Sequence, residues 1–244
     1  MNIDGYCTLG VDREFDLTAE ALLRAMDEAA VERAVIAAVD RCLAVHNREG
    51  NDFILQAAAA HPDRFIPSCS VNPWYGEEAG EELRRSLAAG ARLLVLHPAV
   101  QGYIANDELA WPILEALAGR GIPVYVHTGP PGSATPWQVV DLAERFPNVD
   151  FIMGHSGATD FWNDVVLAAR SAQNVFIESS FARPPLFANY LEQVGKHKGI
   201  MGSAAPLNEL VFEWEQMRAV LPPPEWDAIY GDNLARLLRK GGPL

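Results

Sequence analysis

Two histidines stand in matching places in this sequence, and their side chains could move protons or bind a metal ion. Val124-Tyr125-Val126 stops at His127-Thr128-Gly129, and Phe151-Ile152-Met153 stops at Gly154-His155-Ser156-Gly157. With an unperturbed pKa of about 6.5, a buried imidazole pair can place one ring as base and the other as acid near neutral pH. A third histidine, His97, follows the apolar run Leu93 to Leu96. Ser180 closes a further apolar run, and Arg183 follows in an Arg-Pro-Pro turn, where a guanidinium could anchor a substrate carboxylate.

These residues need a scaffold that brings strand ends together. Between the first two histidine runs, residues 136–146 put Trp137, Val139, Val140, Leu142 and Phe146 on one helical face, so the stretch reads strand, helix, strand. The same alternation fills the chain. Strand-like runs fall at 3–7, 34–39, 65–71, 93–96, 124–126, 151–153, 175–179 and 199–202. Helical stretches separate them at 19–30, 51–60, 77–89, 108–118, 136–146, 162–172 and 186–194, and an apolar-rich segment at 207–220 and a last helix at 226–238 follow. The strands are continuously apolar, as expected where both faces are covered. Eight such units in 244 residues predict an α/β fold of the (β/α)8 TIM-barrel type, one domain spanning 1–244. In that fold the carboxyl ends of the strands carry the site.

Composition narrows the function. The formal charge is −13 and no Lys/Arg cluster is present, which argues against a nucleic-acid partner. No apolar run reaches membrane-spanning length, and the start Met1-Asn2-Ile3-Asp4 lacks the pattern of a signal peptide. Three scattered cysteines, Cys7, Cys42 and Cys69, make neither a disulfide framework nor a structural zinc site. The expectation is a cytoplasmic protein acting on a small-molecule substrate, with no membrane or nucleic-acid partner.

Seven short motifs carry a family resemblance. They are Ile3-Asp4-Gly5, Pro62-Asp63-Arg64-Phe65, Leu96-His97-Pro98 with Gln101-Gly102-Tyr103, Val126-His127-Thr128-Gly129, Gly154-His155-Ser156-Gly157, Gly202-Ser203 with Pro206, and Ile229 with Asn233 to Leu237. In order and spacing the chain resembles, over nearly all its length, the amidohydrolase-related branch of the amidohydrolase superfamily, which holds metal-dependent decarboxylases, hydratases and lactonases. The resemblance implies that His127 matches a metal ligand and His155 a histidine that binds metal or moves protons. It also exposes departures. Tyr6 and Thr8 stand where such proteins carry a His-x-His pair, Ala204 where they carry an aspartate, and Val95 where a lysine is common.

Those departures lead to the expectation of a degenerate metal site, no cofactor, and metal-independent acid/base chemistry such as dehydration, isomerisation, cyclisation or lactone or ester opening. His127, His155 and Tyr6 are the expected catalytic residues, with Tyr6 donating a hydrogen bond to a developing oxyanion. His97, Thr8, Ser180, Arg183 and Ser203 are the expected substrate contacts. Cys7 should point away from the site because strand side chains alternate, and Glu178 is expected to face away if Ser179 does not. One alternative is a zinc-dependent hydrolase or decarboxylase using His97, His127 and His155 together. The other is a non-catalytic protein that binds a small molecule or a partner. Such proteins commonly pair, and the Pro222 to Pro224 break before Trp226 suggests a tail packed on the barrel or on a neighbour, so a homodimer is expected.

Overall fold

The computed structural model describes residues 1–130, 132–157 and 160–243 of the 244. Its strands are β1 (Ile3–Val11), β2 (Asp16–Leu17), β3 (Arg33–Ala38), β4 (Phe65–Ser70), β5 (Leu93–Leu96), β6 (Val124–His127), β7 (Phe151–Gly154), β8 (Val175–Glu178) and β9 (Gly199–Ile200). Apart from β2, which pairs antiparallel with the outer end of β1, every neighbouring pair runs parallel in the order β1-β3-β4-β5-β6-β7-β8-β9. Gly5 N donates to Met201 O at 2.8 Å and Thr8 N to Ala205 O at 2.7 Å, which joins the last segment back to β1 and closes the barrel. The α/β TIM barrel expected from the sequence is therefore present. The short β2 is additional, and it lengthens β1 beyond the run 3–7.

Strand periodicity sorts the side chains into two layers. Val35, Ile66, Leu93, Val95, Tyr125, Ile152 and Phe176 belong to one apolar cluster inside the barrel, while their neighbours Ile36, Leu94, Val124, Val126, Phe151 and Met153 pack in the other, under the helices. Continuing the inward phase past the strand ends carries His97, His127 and Glu178 toward the barrel axis. On β1 a register shift lies between Asp4 and Cys7. Tyr6 falls inside, whereas Cys7 joins the outer layer, as its strand position predicted.

The helices that connect the site strands carry their own local signals. Helix α1 (Pro136–Arg145) starts on Thr135, whose hydroxyl accepts from Gln138 N while the Gln138 side chain accepts from Thr135 N. This reciprocal cap, with Pro136 in the first turn, fixes where the chain leaves the loop after β6. Helix α2 (Pro184–Val194) likewise opens on proline. At the far end of the chain, Trp226 is buried under the Lys196 ammonium, 4.0 Å above its ring, so the tail packs on its own barrel. No helix among the described residues is long and apolar enough to cross a membrane.

Candidate functional site

A cavity of about 570 Å³ opens at the carboxyl ends of the strands. Tyr6, Thr8, His97, His127, Thr128 and His155 form its floor, Phe15 and Phe181 its apolar walls, and Asp12, Arg13, Glu14, Asp40 and Arg41 its outer rim. The histidines arrive by two routes. His97 and His127 continue the inward phase of β5 and β6, and their rings stack with centroids 4.0 Å apart. His155 follows Gly154 with φ 63°, and Ser156 has φ 44°, so the backbone turns through the left-handed region immediately after β7. That turn swings the His155 ring under His127, with centroids 4.8 Å apart. Gly154 is required below it, because a β-carbon there would overlap the Tyr125 ring.

Below the histidines lies a hydrogen-bonded chain that sequence reasoning missed. His127 Nδ1 and His155 Nε2 are 2.9 Å apart, His155 Nδ1 and Ser180 Oγ are 2.7 Å apart, and Ser180 Oγ donates to Glu178 Oε2 at 2.7 Å. Glu178 is fully buried and also accepts from Tyr125 Oη at 2.8 Å, His155 N at 2.9 Å and Ser180 N at 2.7 Å. Burial pushes its carboxyl above the usual range, and these donors pull it back. Gly202 leaves room for the carboxylate, since a β-carbon there would overlap it. The expectation that Glu178 faces away is corrected: it shares the inward phase of Phe176 on β8, and that parity was readable from the strand alone.

Burial fixes the protonation of the cavity floor. It lowers His97 to about 3 and His155 to about 4, and drives His127 well below its usual value, with the neighbouring imidazoles adding to the shift at His97 and His127. All three rings are therefore neutral at pH 7. Two of their nitrogens, His97 Nδ1 and His127 Nε2, are buried without a hydrogen-bond partner among the described residues. The Tyr6 phenol, raised by burial well above its usual range, stays protonated and stacks on Tyr125 at 4.6 Å.

Acid stability follows from the same burial. Because the folded values of His97 and His155 lie below the ordinary 6.5, the unfolded chain takes up protons first as pH falls. Folded stability is therefore expected to drop between about pH 6.5 and pH 4. Asp4 and Glu178 have raised values and oppose the trend at its acid edge, so a variant comparison isolates the histidines. The melting temperature of His97→Gln, followed from pH 7 downward by circular dichroism, should fall less steeply than the parent's. Equal slopes would show that His97 already protonates in the folded protein.

The remaining expected site residues divide. Thr8 lines the cavity. Ser180 does not line it and acts on His155 from beneath. Ser203 is fully buried; its amide donates to Asp4 Oδ1 at 3.0 Å and its hydroxyl accepts from Ala205 N at 3.1 Å, so it serves the closing seam of the barrel. Asp4, also unforeseen, accepts from Trp214 Nε1 at 2.7 Å and from Tyr6 N at 3.1 Å, which holds the turn that presents Tyr6. Arg183 is exposed and lines a neighbouring cavity with Trp162, Asn189 and Tyr190, beyond Phe181. Ala204, where the family resemblance expects an acid, lines the main cavity with only a methyl group. Among the described residues no three His, Cys, Asp or Glu side chains are grouped to hold a metal ion.

Comparison with known proteins adds the family. No curated protein sequence matches the chain. Among solved structures it is similar to 5-carboxyvanillate decarboxylase from Sphingomonas paucimobilis, at 18% identity with TM-score 0.78 over 98% of each chain. It is also similar to 2,6-dihydroxybenzoate decarboxylase from Rhizobium, at 14% identity with TM-score 0.79 over 99% of each chain. A third similar structure is a dihydroxybenzoic acid decarboxylase from a Polaromonas species with bound manganese and 2-nitroresorcinol. It has 14% identity and TM-score 0.77, over 98% of this chain and 96% of that one. The expectation of a site without a cofactor is corrected by the manganese bound in that similar structure. It came from counting lost side chains at β1 and after β9, and it overlooked the bare nitrogens left on His97 and His127. The amidohydrolase family model matches residues 8–240, and the chain belongs to the amidohydrolase family.

Proposed function

We propose that this protein is a metal-dependent decarboxylase or hydrolase of a small aromatic carboxylate, with His97 and His127 holding a divalent cation at the barrel mouth. One observation carries the reading: two buried imidazole nitrogens, His97 Nδ1 and His127 Nε2, have no hydrogen-bond partner among the described residues, and both rings are neutral, the ligating form. A buried polar atom without a partner is costly, so two side by side on a cavity floor point to an absent ligand. These two nitrogens would hold the cation and leave it open to oxygen ligands, which suit manganese. The rim's three carboxylates, Asp12, Glu14 and Asp40, outnumber its two guanidiniums, Arg13 and Arg41, a balance that favours a cation.

Bound there, a divalent cation supplies Lewis acidity to a substrate oxygen. The chain's own residues do the rest. Tyr6 holds its proton and offers a hydrogen bond to a substrate oxygen, the walls Phe15 and Phe181 exclude water, and a cavity of about 570 Å³ suits one substituted ring. In decarboxylation the bond to the carboxylate carbon breaks, carbon dioxide leaves, and the ring carbon takes up one proton. The substrate class comes from the relatives named above, whose names specify hydroxylated benzoates.

The test is metal content and metal linkage. Protein purified without chelators should carry manganese or zinc in near-stoichiometric amount by mass spectrometry, and chelation should lower its melting temperature, since a ligand bound only to the folded state stabilises it. Calorimetric titration with manganese of protein that takes up no ion, and melts unchanged in chelator, would overturn the metal assignment. Carbon dioxide release from a panel of hydroxybenzoates then tests the reaction.

A further inference from the structure

We infer that the cavity beyond Phe181 is a distal substrate subsite: it takes a second, carboxylate-bearing arm of the aromatic carboxylate whose reacting ring occupies the main cavity, and Arg183 binds that arm's carboxylate. The assignment deepens the reading above and rests on it for the reacting end alone.

Two cavities open on the same face of the barrel and share a wall. The main one has His155 on its floor; the second, of about 590 Å³, is lined by the next residue, Ser156, together with Trp162, Arg183, Leu186 and Tyr190. Phe181 lines both. Its ring stands edge-on to that of His155, with centroids 5.0 Å apart and planes at 80°. Its backbone has φ 61°, a left-handed conformation that a bulky side chain rarely adopts. Strain of this kind persists where the surrounding structure imposes it, and it clusters at ligand sites. Here the turn after β8, closed by Ala182 N donating to Ser179 O at 3.0 Å, leaves the ring 45% exposed between the two spaces.

The lining specifies the arm. Trp162 and Phe181 are exposed aromatic side chains beside one cavity, and grouped exposed apolar surface marks a binding site. Tyr190 Oη donates to Trp162 O at 2.9 Å, which ties the segment carrying Trp162 to helix α2. Other polar groups of the lining are engaged within the protein: Ser156 Oγ donates to Glu178 O, and Asn189 Oδ1 accepts from Gln193 Nε2 at 2.7 Å. Arg183 differs. It is exposed, forms no ion pair among the described residues, and is the only charged residue of this lining, in a chain whose formal charge is −13. A guanidinium beside aromatic faces matches a flat group ending in a carboxylate, which it can hold by two parallel hydrogen bonds. The rim of the main cavity offers no such counterpart, because Arg13 and Arg41 stand there among Asp12, Glu14 and Asp40.

The probes are para-phenoxybenzoate and para,para′-oxydibenzoate, which differ only in the distal carboxylate, titrated calorimetrically into the full chain with and without manganese. Arg183→Gln should weaken the dicarboxylate about 3–10-fold, the modest size expected for an exposed guanidinium, and leave the monocarboxylate unchanged. Phe181→Gly suits the left-handed backbone and removes the shared wall, so it should weaken both probes alike, by about 2–10-fold. An equal loss for both probes in Arg183→Gln, or no loss, would overturn the subsite. So would parental affinities in Phe181→Gly, or a parent that binds neither probe. Manganese separates this inference from the proposed function. If the ion tightens both probes and Arg183→Gln spares both, the function stands and the subsite falls. If the ion changes neither while Arg183→Gln selectively weakens the dicarboxylate, the subsite stands and the metal assignment falls.

Discussion

Replacing His127 with alanine is expected to lower turnover by about 10²–10⁴-fold, the span usual when one proton-handling or charge-stabilising group is removed. The same variant should lose its calorimetric response to manganese. Its fold should survive, because His127 lies where β6 ends and lines an open cavity, and residues at the carboxyl end of a barrel serve function more than core packing. A melting temperature within about 4 °C of the parent's corresponds to roughly 1 kcal/mol in a domain of this size. His46→Ala is the control, since His46 is exposed, caps a surface helix and does not line the cavity. Full activity in the His127 variant would move the site elsewhere. A variant that unfolds would show that the stack with His97 and Tyr6 is structural.

The opposite balance is expected at Glu178. Its carboxylate is buried completely and collects four donors, two of them backbone amides that cannot be redirected. Glu178→Ala removes every acceptor at once and opens a hole in the barrel interior. An unsatisfied buried donor costs roughly 1–3 kcal/mol, and large-to-small changes in a core cost about 2–5 kcal/mol. Allowing for repacking and entry of water, a loss of about 4 kcal/mol is expected, which is a fall in melting temperature of about 8–16 °C. Thermal denaturation measures it directly. A variant that melts with the parent would mean that Glu178 contributes nothing net to the fold. Ser180→Ala, which leaves the carboxylate and both amide contacts in place, should fall far less, so the pair separates the structural part of Glu178 from its effect on the imidazoles.

Much of the barrel was legible because its signal is local. Runs such as Leu93 to Leu96 and Phe151 to Met153 are apolar throughout, which requires both faces to be covered, and their regular alternation with helical stretches leaves few architectures. The two-residue strand β2 was missed because Asp16-Leu17 carries no pattern of its own and pairs only through the lengthened β1. His97 and His127 line the cavity because each falls on the inward phase at or just beyond a strand end, whereas Tyr6 lies within β1 and was singled out by the family resemblance. Ser203 was misplaced, since its role depends on the contact with Asp4 across the closing seam.

Cofactor use shows where side-chain counting fails. Tyr6, Thr8 and Ala204 read as lost ligands, and that reading says nothing of the nitrogens that remain. Whether a histidine nitrogen is bare depends on what faces its other nitrogen, and for His127 that partner is 28 residues away on β7's continuation.

The sequence by itself determined the repeating unit, the strand faces and the places where strands end, because these follow from periodicity over a few residues. Tertiary structure alone decided which strand ends meet and which nitrogens of His97 and His127 lack a partner among the described residues. Barrel closure brings Glu178, Ser180, His155 and His127 into one hydrogen-bonded line from β8, β7 and β6, and burial in that interior keeps all three imidazoles neutral. That line is set by distances of less than 3 Å between residues far apart in the chain, and no local pattern of residue types encodes them.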